Sequence, residues 1–420
     1  MRRIKKIICF LIIIFNILSI NKFCNAAEIN ISAPVCVLME YSTGKILFEK
    51  NLNKMMYPAS TTKLMTAILV LEKCQLTDVA TVSNSAVDSV PAGYSTAYLQ
   101  KGEKLTIEQL LHVLLIPSAN DAANVLAEHV GGSIANFANM MNSKAKEIGC
   151  ENTNFKNPSG IHDKNHYSTA YDMALIAQYC MKNETFRSIV SKPSCTVEAT
   201  DKSEKRYFKN TNDLLLKKEK YYYENAIGIK TGYTSQAKNC LIADAKKDNL
   251  ELIAVTLGSK SQADRYSDTI NMFEFGFNNY KLQQIAISKS TIQEITVENA
   301  TKETKNLSLL QKDTIIALTP SSIDLNNLDY SITLNENISA PIAEGEVLGK
   351  ITYHIDGIDY TSDLISKNYV EEFNVPLTLA QIALALFILF VLTKLFTTKK
   401  TKRKKYKNRK KNSDSIYKFN

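Results

Sequence analysis

Apolar positions fall into three textures along the chain. Near each end runs an almost unbroken apolar stretch, Ile7–Ile20 and Val375–Thr393; the second carries no charge, and only Thr378, Gln381 and Thr393 are clearly polar. Between about Ile29 and Tyr280 two periods alternate. Leu64, Ala67, Ile68 and Leu71 recur at helical spacing after Pro58-Ala59, which predicts a helix beginning near Ser60. Thr106 with Gln109 has a capping-box pattern that opens a second helix, and Pro117 closes it. A third helix is expected from about Asp121 to the stop at Gly131-Gly132, and a fourth over Tyr171–Met181. Val35–Glu49 reads as an antiparallel pair turned at Ser42-Thr43-Gly44. Ala226–Gly232, Cys240–Lys246 and Leu250–Leu257 read as strands, the last two joined by the turn Lys247-Asp248-Asn249. Helices in the middle and strands at both ends predict an α/β (α+β) body, one antiparallel sheet built from distant segments and covered by helices.

From about Lys281 to Asn368 the texture changes to short alternating strands. The candidates are Ile292–Val297, Thr314–Leu318, Tyr330–Leu334, Val347–His354 and Ile358–Leu364, with Asp356-Gly357 as a hairpin turn. A small all-β domain is expected there.

The chain has 420 residues and a formal net charge of +9, which changes the picture only once it is located. Arg2, Arg3, Lys5, Lys6 and Lys22 precede Ala26 with no acid among them, and the segment Thr397–Asn420 sets a dense Lys/Arg run against one acid, Asp414. The body between is mildly acidic, so a nucleic-acid partner loses its main support. Both ends read as membrane topology instead. A basic start, an apolar run and the small-x-small pattern Cys24-Asn25-Ala26 suit a cleaved signal peptide. The apolar run near the other end is apolar all round and suits one C-terminal transmembrane helix, with the basic cluster held in the cytoplasm. The expected boundaries are 1–26 for the signal peptide, 29–280 for the main body, 281–368 for the all-β domain, 375–396 for the transmembrane helix and 397–420 for the tail. Cys36, Cys74, Cys150, Cys180, Cys195 and Cys240 show no Cys-x-x-Cys spacing, so neither zinc nor a redox dithiol is suggested. Their even number permits disulfides outside the cytoplasm, and small buried hydrophobes is the favoured reading.

Three short motifs carry candidate chemistry, and only their order and local structure give them weight. Ser60-Thr61-Thr62-Lys63 opens a helix, Ser118-Ala119-Asn120 sits between two helices, and Lys230-Thr231-Gly232 lies on a strand. Ser-x-x-Lys alone says little, since it recurs at Ser42/Lys45, Ser143/Lys146 and Ser235/Lys238. Residues three apart on a helix share a face, so Lys63 can reach the hydroxyl of Ser60. The amine can take that proton only when neutral, and its reference pKa of about 10.4 must fall. Burial and a second cation push it down, and Lys230 is the candidate cation. Ser118 is expected to relay a proton to the leaving amine and Asn120 to orient Lys63 and the substrate amide. A protonated Lys230 is expected to hold a carboxylate, and Gly232 to leave room for a substrate strand.

With these residues in order, the chain resembles the low-molecular-mass penicillin-binding proteins, specifically the D-alanyl-D-alanine carboxypeptidases of peptidase family S11. The stretch Leu38–Asn51, the turn Asn157-Pro158-Ser159-Gly160 and the run His166-Tyr167-Ser168-Thr169-Ala170-Tyr171-Asp172 are also similar to that family. The resemblance implies a serine β-lactamase/penicillin-binding-protein-like catalytic domain. It implies that Ser60 is the acylated nucleophile and Lys63 the proton acceptor, that Ser118 and Asn120 form the second motif, and that Lys230 and Thr231 bind substrate. The backbone N–H groups of Ser60 and Tyr233 would form an oxyanion hole, and Arg265 falls where the family often has a second carboxylate-binding cation. Implied partners are peptidoglycan stem peptides ending in D-Ala-D-Ala, β-lactam antibiotics as acylating inhibitors, and the cell membrane. Ala119 departs from the aspartate of the lactamases.

No cofactor and no metal are expected. His162 and His166, with Asp163 between them, follow a turn with no third ligand evident, so packing or capping is the reading for both. Two other functions compete. A class A-like β-lactamase needs a glutamate to activate the deacylating water, and Glu147, Glu151 and Glu184 lack the Glu-x-x-x-Asn context. A non-catalytic wall-binding protein of the same fold has no reason to keep Ser60, Lys63, Ser118, Asn120 and Lys230 together.

Overall fold

The structure is a computed structural model and describes residues 29–373 and 375–413. The expected signal segment 1–26, with Cys9 and Cys24, lies outside the described residues. The chain divides into two compact units. One comprises residues up to Leu282 together with Leu318–Ile323; the other comprises Gln283–Ala317 and the chain from Asp324 onward.

In the first unit the strands are β1 (Val35–Glu40), β2 (Ile46–Lys50), β3 (Val79–Thr81), β4 (Lys104–Thr106), β5 (Ser194–Val197), β6 (Arg206–Lys209), β7 (Ala226–Thr234), β8 (Lys238–Lys247) and β9 (Leu250–Ser259). The helices are α1 (Lys63–Lys73), α2 (Asn84–Asp88), α3 (Ile107–Leu115), α4 (Asn120–Gly131), α5 (Ile134–Ile148), α6 (Ala170–Met181), α7 (Glu184–Val190) and α8 (Gln262–Asn279). One sheet in the order β2-β1-β9-β8-β7 organises them, and the neighbours are antiparallel throughout. The first pair comes from the start of the unit and the last three strands from its end, as the distribution of alternating segments predicts.

β1 reads Val-Cys-Val-Leu-Met-Glu and is buried at every position. A strand hidden on both faces needs cover on both. Val35, Val37 and Met39 join the main apolar cluster with residues of α1, α3, α4 and α6. The alternate positions face the other way, and α8 packs on β8 and β9. Thr106 caps α3 in a full capping box with Gln109. Two helices that the apolar pattern does not announce, α5 and α8, complete the cover; α5 buries Phe137, Ala138, Met141 and Ala145 along one stripe.

After α8 the chain continues through β10 (Tyr280–Ala286), β11 (Thr291–Thr296), β12 (Asn306–Gln311), β13 (Ile315–Pro320), β14 (Tyr330–Leu334), β15 (Val347–Ile355) and β16 (Ile358–Ser366). The second unit holds a five-stranded antiparallel sheet in the order β11-β12-β16-β15-β14. β12 was not expected from the sequence; its Asn-Leu-Ser-Leu-Leu-Gln alternates buried and half-exposed positions once paired between β11 and β16. The C-terminal helix, α9, runs from Val375 to Ser413 without the expected stop near Phe396. Lysine and arginine are good helix formers, so the basic run continues the helix. Its stretch Leu379–Lys407 is long and apolar enough to cross a membrane.

Candidate active site

The sequence segment holding Ser60 does not enter an α-helix directly. Ala59–Thr62 form a 3-10 turn, and α1 begins at Lys63. Ala59 sits at φ +49°, a left-handed conformation uncommon for a side chain with a Cβ. The tighter turn helps the chemistry, because positions i and i+3 eclipse at three residues per turn. Lys63 is fully buried, and its Nζ lies 3.0 Å from Ser60 Oγ.

Two further acceptors hold that nitrogen. Asn120 Oδ1 is 2.8 Å away and the Ser159 carbonyl 2.7 Å. The Asn120 amide is oriented by its Nδ2, which donates to the Ser95 carbonyl at 2.9 Å, so the oxygen must face Lys63. A neutral amine has two N–H groups and one lone pair. Asn120 Oδ1 and Ser159 O are acceptors only, so they take both N–H groups and leave the lone pair for the hydroxyl of Ser60. Burial, then the charge of Lys230, lowers the Lys63 pKa well below the usual ammonium range, against an opposing pull from Asp121.

Asn120 is the first residue of α4, not part of the loop as expected, while Ser118 sits in the loop between α3 and α4 at φ +69°. Such strain in a side-chain-bearing residue needs surrounding support. Ser118 lines the same cleft as Ser60. Lys230, Thr231 and Gly232 lie on β7, the end strand of the sheet. A Cβ on Gly232 would stand 3.1 Å from Ser60 N and from the Pro58 carbonyl, so the missing side chain lets the Ser60 turn pack on β7. This adds a close internal approach to the room for substrate expected at that glycine. Tyr233 follows it, 61% exposed at the cleft mouth.

Arg265, four residues into α8, is buried and lines the cleft beside Thr211. Its Nη2 donates to the Tyr266 hydroxyl at 3.3 Å. Burial first, and then the Arg265 guanidinium, pull Lys230 down from the usual ammonium range to about 7. The cleft is about 460 Å³ and brings together Ser60, Ser118, Asn120, Thr231, Gly232, Tyr233 and Arg265, with residues Ala92, Gly93, Tyr94 and Ser95 as one wall. Lys63 and Lys230 lie buried beneath it.

Three contributors escape the sequence reading of roles. Thr211 accepts from Thr231 Oγ1 at 2.7 Å and from Lys230 Nζ at 3.4 Å. Ser159 supplies its carbonyl to Lys63, and His166 reaches Thr62. Thr211 lies in a polar loop with no periodicity to single it out. Among the described residues no group of three or more potential metal ligands gathers, and the six cysteines Cys36, Cys74, Cys150, Cys180, Cys195 and Cys240 are free thiols.

A family profile described as D-alanyl-D-alanine carboxypeptidase, Peptidase S11, matches residues 22–261, and one for the C-terminal domain of penicillin-binding protein 5 matches 280–372. The chain is 36% identical over 337 residues to D-alanyl-D-alanine carboxypeptidase DacF of Bacillus subtilis, covering 79% of this chain and 84% of the relative. Penicillin binding protein 5 from Haemophilus influenzae superposes with a TM-score of 0.66 at 31% identity, over 82% of this chain and 99% of that one. The Streptomyces K15 DD-transpeptidase gives 0.56 at 34% identity, over 60% and 99%. The chain therefore belongs to the D-alanyl-D-alanine carboxypeptidases of peptidase family S11, serine-type enzymes with a penicillin-binding-protein fold.

Proposed function

We propose that the protein removes the terminal D-alanine from peptidoglycan stem pentapeptides through an acyl-enzyme on Ser60. One observation carries the reading: the Nζ of Lys63, fully buried and pulled toward neutrality, lies 3.0 Å from the Ser60 hydroxyl. Lys63 takes the Ser60 proton as Oγ attacks the carbonyl of the penultimate D-alanine. The N–H groups of Ser60 and Tyr233 hold the resulting oxyanion. Collapse breaks the peptide bond, and the leaving amine takes the proton back through Lys63 and Ser118. Water then attacks the ester and frees Ser60. Lys230 and Arg265 hold the terminal carboxylate, while Thr231, Gly232 and Asn120 align the peptide along β7. A β-lactam presents an amide to the same hydroxyl and acylates it.

Residues 1–26 serve as the signal peptide, 29–280 as the catalytic body and 281–368 as a β spacer. The apolar part of α9 anchors the protein in the cell membrane, with the cleft outside and the tail 397–420 in the cytoplasm. Two measurements test the reading. Intact-mass analysis after penicillin treatment should show one adduct on the wild-type chain and none on Ser60→Ala. A stem pentapeptide should release free D-alanine. An unmodified wild-type chain overturns the proposal.

A further inference from the structure

The ring of His166 takes part in none of these steps, yet it is 2% exposed and bonded at both nitrogens. Phe155 packs edge-on against it with ring centroids 5.5 Å apart. The backbone N–H of Lys156 donates to Nδ1 at 3.2 Å, so Nδ1 carries no proton. The proton is on Nε2, which stands 2.8 Å from Thr62 Oγ1 and donates to it. Burial above all pulls the ring down to about 4, so it stays neutral through the neutral range.

Thr62 is the residue before Lys63, and the segment from Lys156 to His166 is the wall that supplies the Ser159 carbonyl. Three side chains at the start of α1 reach that wall. Thr62 meets His166, Lys63 meets the Ser159 carbonyl at 2.7 Å, and Thr66 Oγ1 donates to the Pro158 carbonyl at 2.6 Å. Asn157 closes the turn itself, its Oδ1 accepting from the N–H groups of Ser159 and Gly160. The Ser159 carbonyl matters because it occupies one of the two N–H groups of neutral Lys63. If it drifts, that N–H can turn toward Ser60 and the lone pair away.

We propose that His166 is a positioning residue: by bridging the Lys156 amide and the Thr62 hydroxyl it fastens the 156–166 wall to the nucleophile turn. Through the Ser159 carbonyl it keeps the Lys63 lone pair on Ser60 Oγ. The inference rests on the reading of Ser60 as the acylated serine and Lys63 as its base.

The test is the acylation of the full chain in detergent by a fluorescent penicillin, resolved into initial binding and the acylation rate constant. His166→Phe keeps the ring's bulk and loses both bonds; its rate constant should fall roughly tenfold to a hundredfold, with binding little changed. His166→Gln carries an N–H donor and a carbonyl acceptor, and should return the rate to within about threefold of wild type. Thr62→Val should fall like His166→Phe, and the double variant should be no slower than His166→Phe alone, because both cut one link. Wild-type speed in His166→Phe, or a His166→Gln as slow as His166→Phe at matched melting temperature, overturns the role. If His166→Phe does not fold, Thr62→Val against His166→Gln decides the matter in the same way. A wild-type chain that takes no adduct at all instead removes the acyl-enzyme reading beneath it.

Discussion

The Arg265 guanidinium, which lines the cleft, adds to burial in drawing the Lys230 ammonium beneath it down to about 7, although both are candidates for holding the same carboxylate. Two cations kept close and dry repel one another until an anion arrives between them. With its pKa drawn down to about 7, Lys230 in the free enzyme is expected to lose its charge around neutrality. The quantity kcat/KM reports the ionisations of the free enzyme. It should fall on the alkaline side as Lys230 deprotonates, and on the acid side as Lys63 gains a proton at a pH well below the usual lysine range. Arg265→Gln removes the repulsion, so the alkaline limb should move to higher pH while KM for a peptide carboxylate rises. A pH series on both proteins checks it; an alkaline limb that stays in place rules out the coupling.

In the proposed mechanism Lys63 must lose its proton to act, and that separates it from a lysine that merely ties Ser60 to Asn120. Lys63→Arg keeps a donor-rich cation at the position, but a guanidinium cannot become a base in a protein. The rate of penicillin adduct formation should drop about a thousandfold. A drop below tenfold would mean that the serine is activated by some other group.

Much of this site is legible in the sequence because its parts are local. The step from Ser60 to Lys63 is one turn, the Thr106–Gln109 capping box fixes where α3 starts, and the short apolar runs of β1, β8 and β9 mark them as strands of one buried sheet. The strand carrying Lys230 is a run of the same kind. What the sequence leaves silent is carried by contacts between distant turns. The Ser159 carbonyl reaches Lys63 across 96 positions, and Thr62 meets His166 across 104. Backbone acceptors have no residue type to betray them. Nor does the pattern foretell that Gly232 is needed by the enzyme's own Ser60 segment, since a missing side chain looks alike whether substrate or protein fills the space.

Gly160 provides a second case of backbone pressed on backbone. Its φ is +83°, and an added Cβ would stand 1.8 Å from the carbonyl oxygen of Ala59, the residue before Ser60. Gly102 shares the left-handed conformation at φ +78° but has nothing within 4 Å of that site. Gly102→Ala isolates the conformational cost, about 1–2 kcal/mol. Gly160→Ala adds a collision that only movement of the Ala59–Ser60 turn relieves, and should cost more than about 3 kcal/mol and abolish acylation. Denaturant melts of the two variants, with penicillin labelling of each, check the pair. Equal losses of stability would show that the turn yields.

Asp244 is fully buried on β8, and among the described residues neither carboxyl oxygen has a hydrogen-bond donor. Burial first, and then the charge of Glu251, raise its pKa well above the ordinary carboxylate range, against Arg187 and Lys246. Arg187 is committed to Glu251 at 2.6 Å, which leaves Asp244 to be held as the protonated acid beside it. A folded state that keeps a proton the unfolded chain releases binds more protons between the two pKa values, so stability falls as pH rises through that window. The contribution is present below the unfolded value near 3.8 and is lost progressively above it. Asp244→Asn keeps the shape and replaces the acid O–H donor by an amide N–H, without the titration. The variant should therefore match or exceed the wild type at pH 8 and lose its advantage as pH falls toward 4. Urea melts of both proteins across that range check it; an advantage that grows toward acid would place a charged carboxylate at Asp244 and reverse the assignment.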